Sequence, residues 1–333
     1  MTTAETGTTG SSSRPVETFE LGRPGPVRRA KARRRGPGVL PYGLLVPSIL
    51  AMLAVLGYPL YRLVLLSFRK YELRQLIRRL PGDPVGLANY RDIFGDEQFR
   101  LAVMRSVGFA LACVAATMVV GTLLALMLRA LGKRMRVLVS LGLVFAWSVP
   151  PVTSTILWQW LFDTEFSVIN HLITLLPGDL DFYRHQWFTD VWSAWFVIGA
   201  LIVWMGVPFV ALALYAGLTQ IPETLFEAAS IDGAGAWRTF RNVTFPMLKP
   251  MFLILASRST IWDFRVFTQV WVLTKGGPDR GTNTVGVYSY ITSFSTNKYG
   301  RGSAMAVLLV LMLLVVTAFY IRNLMKAVGE DLT

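Results

Sequence analysis

Six stretches of this chain stay apolar for 20 residues or more, and no other feature narrows the possible folds as far. They lie near 41–67, 106–128, 137–160, 191–217, 251–273 and 302–322. A hydrocarbon layer is crossed by ~20 helical residues. The expectation is therefore an all-α integral membrane protein with six transmembrane helices. Composition agrees with this: of 333 residues, 53% are hydrophobic and only 16% charged, against ~25% charged in soluble domains. Pro47, Pro59 and Pro208 fall inside or near the ends of these segments. Neighbouring helices in a membrane re-satisfy the carbonyls a proline frees, so kinks are expected there rather than breaks.

The net charge of +13 does not point to nucleic acid, because the basic residues cluster beside the apolar runs, where they set orientation in a bilayer. Residues 1–38 are rich in Thr, Ser, Gly, Pro and Arg and carry eight Lys/Arg. They read as a disordered cytoplasmic tail ahead of an uncleaved first span, leaving 39–333 as the permeating domain. With both termini inside, the tail and the short loop holding Arg129, Lys133, Arg134 and Arg136 obey the positive-inside rule. The segment 69–105, with eight Lys/Arg, argues against it, softened by Glu72, Asp83, Asp92, Asp96 and Glu97. The lone cysteine, Cys113, excludes an internal disulfide. His171 and His185 share a loop with no cysteine nearby, so no metal site is expected.

Between the fourth and fifth apolar segments lies Glu227-Ala228-Ala229-Ser230-Ile231-Asp232-Gly233-Ala234. Pro222 suits a first helical position, and Glu223 and Glu227 place negative charge near a helix start. Gly233 suits the left-handed residue that ends a helix. Trp237, Phe240 and Thr244 then share one face of a second helix, and Pro246 either stops that helix or admits the chain to the next span. This string, with Phe240, Val243, Pro246 and Pro250 at fixed spacing, resembles the EAA loop of bacterial ABC-importer permeases.

Other stretches resemble the carbohydrate branch of that family, of the maltose-permease type. They are Val85-Gly86-Leu87-Ala88-Asn89-Tyr90, Pro150-Pro151 with Trp158 to Asp163, Trp204, Pro208 and Phe209 before Ala216-Gly217-Leu218, and Gly276-Gly277-Pro278 after Phe264 to Phe267. The resemblance implies a type I ABC-importer permease fold in which the cytoplasmic loop 218–250 is the coupling element. Glu227, Ala228, Ala229, Asp232, Gly233, Ala234, Phe240 and Pro246 would then meet a separate ATPase. It further implies a bacterial plasma-membrane location, a second homologous permease chain forming a heterodimer, two ATPase copies and an extracellular solute-binding protein. ATP and Mg would sit on the ATPase, and the chain would act as a transporter subunit and not as an enzyme.

The residues agree on that last point. Gly132-Lys133 is the only Gly-Lys pair, is followed by Arg134, and lacks the upstream glycine of a phosphate-binding loop. Ionisable residues inside a membrane are functional candidates, and Arg258, Asp263 and Arg265 cluster in the fifth segment. They read either as a packing ion pair or as groups lining a path. The resemblance places the substrate path at Ser259, Asp263 and Arg265, with Trp204, Gly206 and Phe209. Asp263 stands where relatives often carry asparagine. Trp158, Trp204 and Tyr288 are candidates for stacking on a sugar ring, whereas Trp187, Trp192 and Trp195 read as an interfacial belt. The expected function is a pathway subunit of an ATP-driven importer of a di- or oligosaccharide. The alternative is an ion-coupled secondary sugar transporter, for which Asp263 is the only acid within a span.

Overall fold

The computed structural model describes residues 39–177 and 182–330; the tail expected over 1–38 lies outside the described residues. The described residues are mostly helical. Contacts divide it at Ala54. The first unit holds α1 (Val39–Met52) and the start of a π-helical turn, Leu53–Gly57. The second continues with α2 (Tyr58–Ser67), the two-residue strand β1 (Arg69–Lys70), α3 (Leu73–Arg78), β2 (Asp83–Pro84), α4 (Ala88–Gly95) and the long α5 (Glu97–Ala130). Then come α6 (Lys133–Ser148), α7 (Pro151–Leu161), α8 (Val168–Thr174), α9 (Val191–Leu218), α10 (Glu223–Ile231) and α11 (Ala236–Thr239). A π-helical turn (Phe240–Thr244) leads into α12 (Phe245–Phe264), followed by α13 (Thr268–Thr274), α14 (Val285–Tyr290), a third π turn (Ile291–Ser295) and α15 (Tyr299–Glu330).

Among the described residues four helical runs are long and apolar enough to cross a membrane: Gly43–Ser67, Glu97–Ala130, Val191–Leu218 and Tyr299–Lys326. This is a multi-pass membrane protein. Two of the six expected spans need correction as single rods. The third divides into α6 and α7, bent by 98°. Val149 precedes Pro150 and Pro151, and a residue before proline is pushed out of the helical region into extended backbone, which is where Val149 lies (ψ 125°). The fifth, expected over 251–273, ends as a helix at Phe264 and resumes at Thr268. With Lys249, Arg258 and Asp263 in its 20 residues, α12 also fails the apolarity expected of a lone span.

The centre of the body is the pair α5 and α9, the most extensive helix–helix contact in the chain. Small residues let the two backbones approach, as is usual where lipid supplies no hydrophobic drive between helices. A Cβ on Gly121 would meet Val210 Cγ1 at 2.6 Å, and one on Gly206 would meet Thr117 Cγ2 at 3.0 Å. Around this pair Cys113, Ile198, Leu201 and Ile202 pack with Val266, Val270 and Leu273. Further along, Ala125, Val210, Leu214 and Leu218 pack with Leu248 and Leu255 of α12.

At the end of the body that holds Ser67, the chain is tied by polar contacts. The Asn89 amide donates to the carbonyls of Ser67 (2.9 Å) and Arg69 (3.0 Å), and the Tyr90 hydroxyl donates to Ser67 Oγ (2.7 Å). Gly86 supplies the positive φ (56°) that starts this turn, which gives the Gly-Leu-Ala-Asn-Tyr string a structural reason. Asp96 caps α5, accepting from the Gln98 N–H (2.9 Å), the Tyr288 hydroxyl (2.7 Å) and Arg301 (2.5 Å). Burial alone would raise the Asp96 carboxyl, but these three donors outweigh it and hold it below its ordinary value. Tyr288, half-buried against this carboxylate, is pushed up to about 12, first by burial and then by that hydrogen bond.

Candidate functional site

Two sites emerge, an exposed loop at one end of the body and a charged cavity in its middle. The loop is built on α10. Pro222 is the residue before its first turn, and Glu223 opens it. Asp232 ends the helix, Gly233 follows with φ +68°, and two bonds close the turn: Gly233 N–H to the Ser230 carbonyl (3.1 Å) and Ala234 N–H to that of Ala229 (2.9 Å). This is the Schellman pattern, in which a left-handed residue lets the last carbonyls of a helix find partners. It accounts for the spacing from Ala229 to Gly233-Ala234 in the motif.

Glu227, Ala228, Asp232 and Gly233 are exposed, and Ala229, Ala234 and Phe240 half-buried. The large apolar side chains Ile231 and Trp237 are 86% and 70% exposed. Trp237 stacks on Phe240 (5.8 Å between ring centres). Residues 225–243 enclose a cleft of about 370 Å³ between α10 and the chain after the turn. Of the two readings of Pro246, the second holds: the chain runs on as helix through it. α11, the π turn and α12 follow one another without a gap to Phe264, with Pro246 in the first turn of α12.

The loop is fixed to the body at its start. Arg129, in the last turn of α5, donates to both carboxylate oxygens of Glu223 at 3.1 Å and lies 3.4 Å over the Phe226 ring. Next to it, Arg136 donates to the carbonyls of Leu128 (3.0 Å), Arg129 (3.4 Å) and Leu131 (2.7 Å), which are orphan acceptors of the helix end. The basic 129–136 loop and the Glu227 loop therefore occupy the same end of the protein. An ion pair this exposed contributes little to stability; what it provides is position.

The cavity, of about 310 Å³, lies between α5, α6, α7, α9 and α12. Of the six residues the sequence places on a substrate path, Gly206, Ser259 and Asp263 line it, together with Arg258. Trp204, Phe209 and Arg265 do not. Trp204 packs towards Trp158 (6.2 Å), Phe209 lies beneath the Arg258 guanidinium (3.9 Å), and Arg265 caps the end of α12. Thr117, Ala146, Trp147, Val149, Met205 and Trp262 are the wall residues the sequence did not single out. Trp147 and Trp262 are the rings on the cavity wall, where Trp158 and Tyr288 are not.

Asp263 is 6% exposed, and its Oδ2 has no hydrogen-bond partner. The three ion pairs formed among the described residues do not include Arg258 with Asp263, so the packing ion pair read from the sequence is not formed. A buried carboxylate oxygen left without a donor is costly, and the residue that carries it is on the cavity wall. Trp187, read as part of an interfacial belt, is instead buried and donates to Asn170 Oδ1 (2.6 Å). Trp195 donates to the Gly281 carbonyl (3.2 Å), while Trp192 is 80% exposed.

Comparison with known proteins fits this arrangement. The diacetylchitobiose uptake system permease protein DasB of Streptomyces coelicolor is 42% identical over 304 residues, covering 91% of this chain and 92% of the relative. The trehalose/maltose transport system permease protein MalF of Thermococcus litoralis is 30% identical, over 85% of this chain and 92% of the relative. The sulfoquinovosyl glycerol transport system permease protein SmoG of Agrobacterium fabrum is 32% identical, over 86% and 91%. A chain in the crystal structure of a bacterial ABC transporter that imports the acidic polysaccharide alginate shares the fold, with TM-score 0.72 and 20% identity over 86% of this chain and 95% of that one. Residues 118–326, spanning the loop and most of the cavity, match the family described as the binding-protein-dependent transport system inner membrane component, and the chain belongs to that family.

Proposed function

We propose that this chain is one permease subunit of an ATP-driven, binding-protein-dependent importer of a di- or oligosaccharide. The observation that carries the reading is the Glu227–Pro246 loop: a fixed, glycine-turned helix with exposed apolar side chains, in a chain that belongs to this transport family. Such a surface requires a partner. Glu227, Ala228, Ala229, Asp232, Gly233, Ala234, Phe240 and Pro246 supply or shape the face that meets a separate ATPase, which holds ATP and Mg. Both termini then lie in the cytoplasm, and a second permease chain completes the pathway as a heterodimer. A solute-binding protein delivers the sugar from outside.

The sugar class rests on two supports. Three relatives are permeases named for diacetylchitobiose, trehalose/maltose and a sulfoquinovosyl glycerol. The cavity wall joins two indole rings, two hydroxyl residues, a guanidinium and the carboxyl residue Asp263, a set suited to sugar hydroxyls and C–H faces. Gly206, Ser259 and Asp263 are the path residues that face it, with Arg258, Trp147 and Trp262 beside them.

The test is reconstitution with the ATPase, the partner permease and the binding protein in vesicles loaded with ATP, followed by uptake of labelled disaccharides. Uptake that depends on ATP and is indifferent to imposed proton or sodium gradients is expected. Uptake driven by an ion gradient with no ATPase present would assign Asp263 to ion coupling and overturn the reading. In the ATP-driven system Asp263→Asn is expected to raise KM for the sugar several-fold with insertion unchanged.

A further inference from the structure

The basic segment after the first span is the one sequence feature that the transport function leaves unused, and the structure gives it a shape. Directly beyond Ser67 the chain makes a closed excursion. β1 pairs antiparallel with β2, Arg69 opposite Pro84 and Lys70 opposite Asp83, and the Val85 N–H bonds back to the Phe68 carbonyl (3.0 Å). The neck is tight: a Cβ on Gly82 would stand 2.9 Å from the Tyr71 ring and 3.0 Å from the Lys70 carbonyl. What the neck holds is α3, started by a reciprocal cap between Glu72 and Gln75 and ended by Arg79 in the left-handed conformation.

At ~100° per residue, Leu73, Leu76 and Ile77 share one side of α3, and Arg74 and Arg78 lie beside it. Among the described residues the apolar side is left largely open: Leu73, Leu76, Ile77 and Leu80 are 40%, 46%, 70% and 43% exposed. Arg74, Arg78 and Arg79 take part in none of the three ion pairs among the described residues. Between 69 and 80 there are five Lys/Arg and one acid, Glu72, which is used in the cap.

Position decides what such a surface meets. Ser67 ends a run long and apolar enough to span a membrane. Six residues of chain reach at most ~20 Å, and the neck shortens that reach. α3 is thus kept within that distance of the end of the apolar run, close enough for its apolar side to reach the membrane surface. An apolar face bordered by arginines at that surface is the pattern of a helix lying in the interface, its long basic side chains reaching phosphates.

We propose that residues 71–82 form a surface anchor on an anionic phospholipid leaflet, with Leu73, Leu76 and Ile77 among the upper acyl chains and Arg74, Arg78 and Arg79 on lipid phosphates. The anchor fixes the end of the first span at the interface and gives three of the eight basic residues of 69–105 a lipid role. It is independent of which sugar is carried.

The test uses the full chain with Ile77→Cys carrying an environment-sensitive fluorophore, Cys113 being buried, in nanodiscs of phosphatidylcholine with one-quarter phosphatidylglycerol. A headgroup-proximal nitroxide lipid is expected to quench the label at least two-fold, with aqueous iodide quenching it only weakly. Replacing the phosphatidylglycerol with phosphatidylcholine is expected to reduce the nitroxide effect, and the pair Arg74→Gln with Arg78→Gln to abolish that lipid dependence. Strong iodide quenching with none from the nitroxide lipid would overturn the anchor. So would shielding that appears only on adding the solute-binding protein or a second permease chain, which would assign the face to protein. Should the cysteine variant fail to insert, hydrogen exchange of 73–80 in the unmodified protein reads the same point: fast exchange in the anionic nanodiscs refutes it.

Discussion

Gly233 offers the sharpest test of the loop, because its surroundings separate backbone conformation from packing. Its φ is +68°, and a Cβ placed on it would meet nothing within 4 Å. Any penalty on substitution is therefore the intrinsic cost of the left-handed conformation, about 1–2 kcal/mol for an ordinary residue. Opposing that cost are the two bonds that close the turn, from Gly233 to Ser230 and from Ala234 to Ala229, each contributing about 1 kcal/mol. The balance is close enough for side-chain chemistry to decide it. Asn tolerates this region and is expected to keep the turn, Ala to weaken it by about 1 kcal/mol, and β-branched Val by about 2 or more.

At ~1.4 kcal/mol per tenfold, the population of the closed turn falls severalfold for Ala and by more than tenfold for Val. The assay is ATP-driven sugar uptake in vesicles, alongside co-purification of the ATPase with each variant. The expected rank is Gly and Asn above Ala, with Val lowest, all four inserting equally. If Gly233→Val transports at the normal rate, or if Gly233→Asn is as impaired as Val, the left-handed turn is not what the loop depends on.

Two further outcomes rest on other parts of the body. Asp96, held below the ordinary carboxylate value, contributes stability that is fully present above about pH 4 and lost as pH falls through its folded value. Thermal stability of Asp96→Asn in detergent should thus fall below wild type between pH 5 and 8, with the gap narrowing towards pH 3; a gap that is constant with pH refutes the assignment. Gly121→Leu would place its Cβ 2.6 Å from Val210, so overpacking of about 1–3 kcal/mol is expected to exceed the ~1 kcal/mol gained in helix propensity. A thermal melt as high as that of wild type would show that α5 and α9 do not need that close approach.

Much of this architecture was legible in the residues, and the failures have physical causes. Continuous apolar runs marked the spans because lipid leaves few other solutions. The loop was legible because its spacing encodes one particular helix end. Apolarity carries no signal for a bend, however, so α6 and α7 read as one rod even though Pro150 and Pro151 stood between them. Likewise Val266 and Phe267 look like span residues while their backbone interrupts the helix. On the cavity wall, Gly206 and Trp204 are two positions apart, about 200° around a helix, so the tryptophan turns towards Trp158. Trp147 and Trp262 reach the cavity only through the packing of α6 and α12 on α9, which no local pattern announces. Trp187 reads as interfacial in sequence because its partner Asn170, which accepts its indole N–H, lies 17 residues away.

The two interruptions share an address. The joint between α6 and α7 places Val149 and Pro151 on the cavity wall, and the joint after α12 follows directly on Trp262 and Asp263. α5 and α9, by contrast, are unbroken and closely packed where Gly121 meets Val210 and Gly206 meets Thr117. The central pair then serves as a rigid keel, and the compartment beside it is bounded by articulated panels. A change in the size of the compartment would therefore be expected to bend the chain at these two joints, where regular helix is already interrupted, and not within the keel.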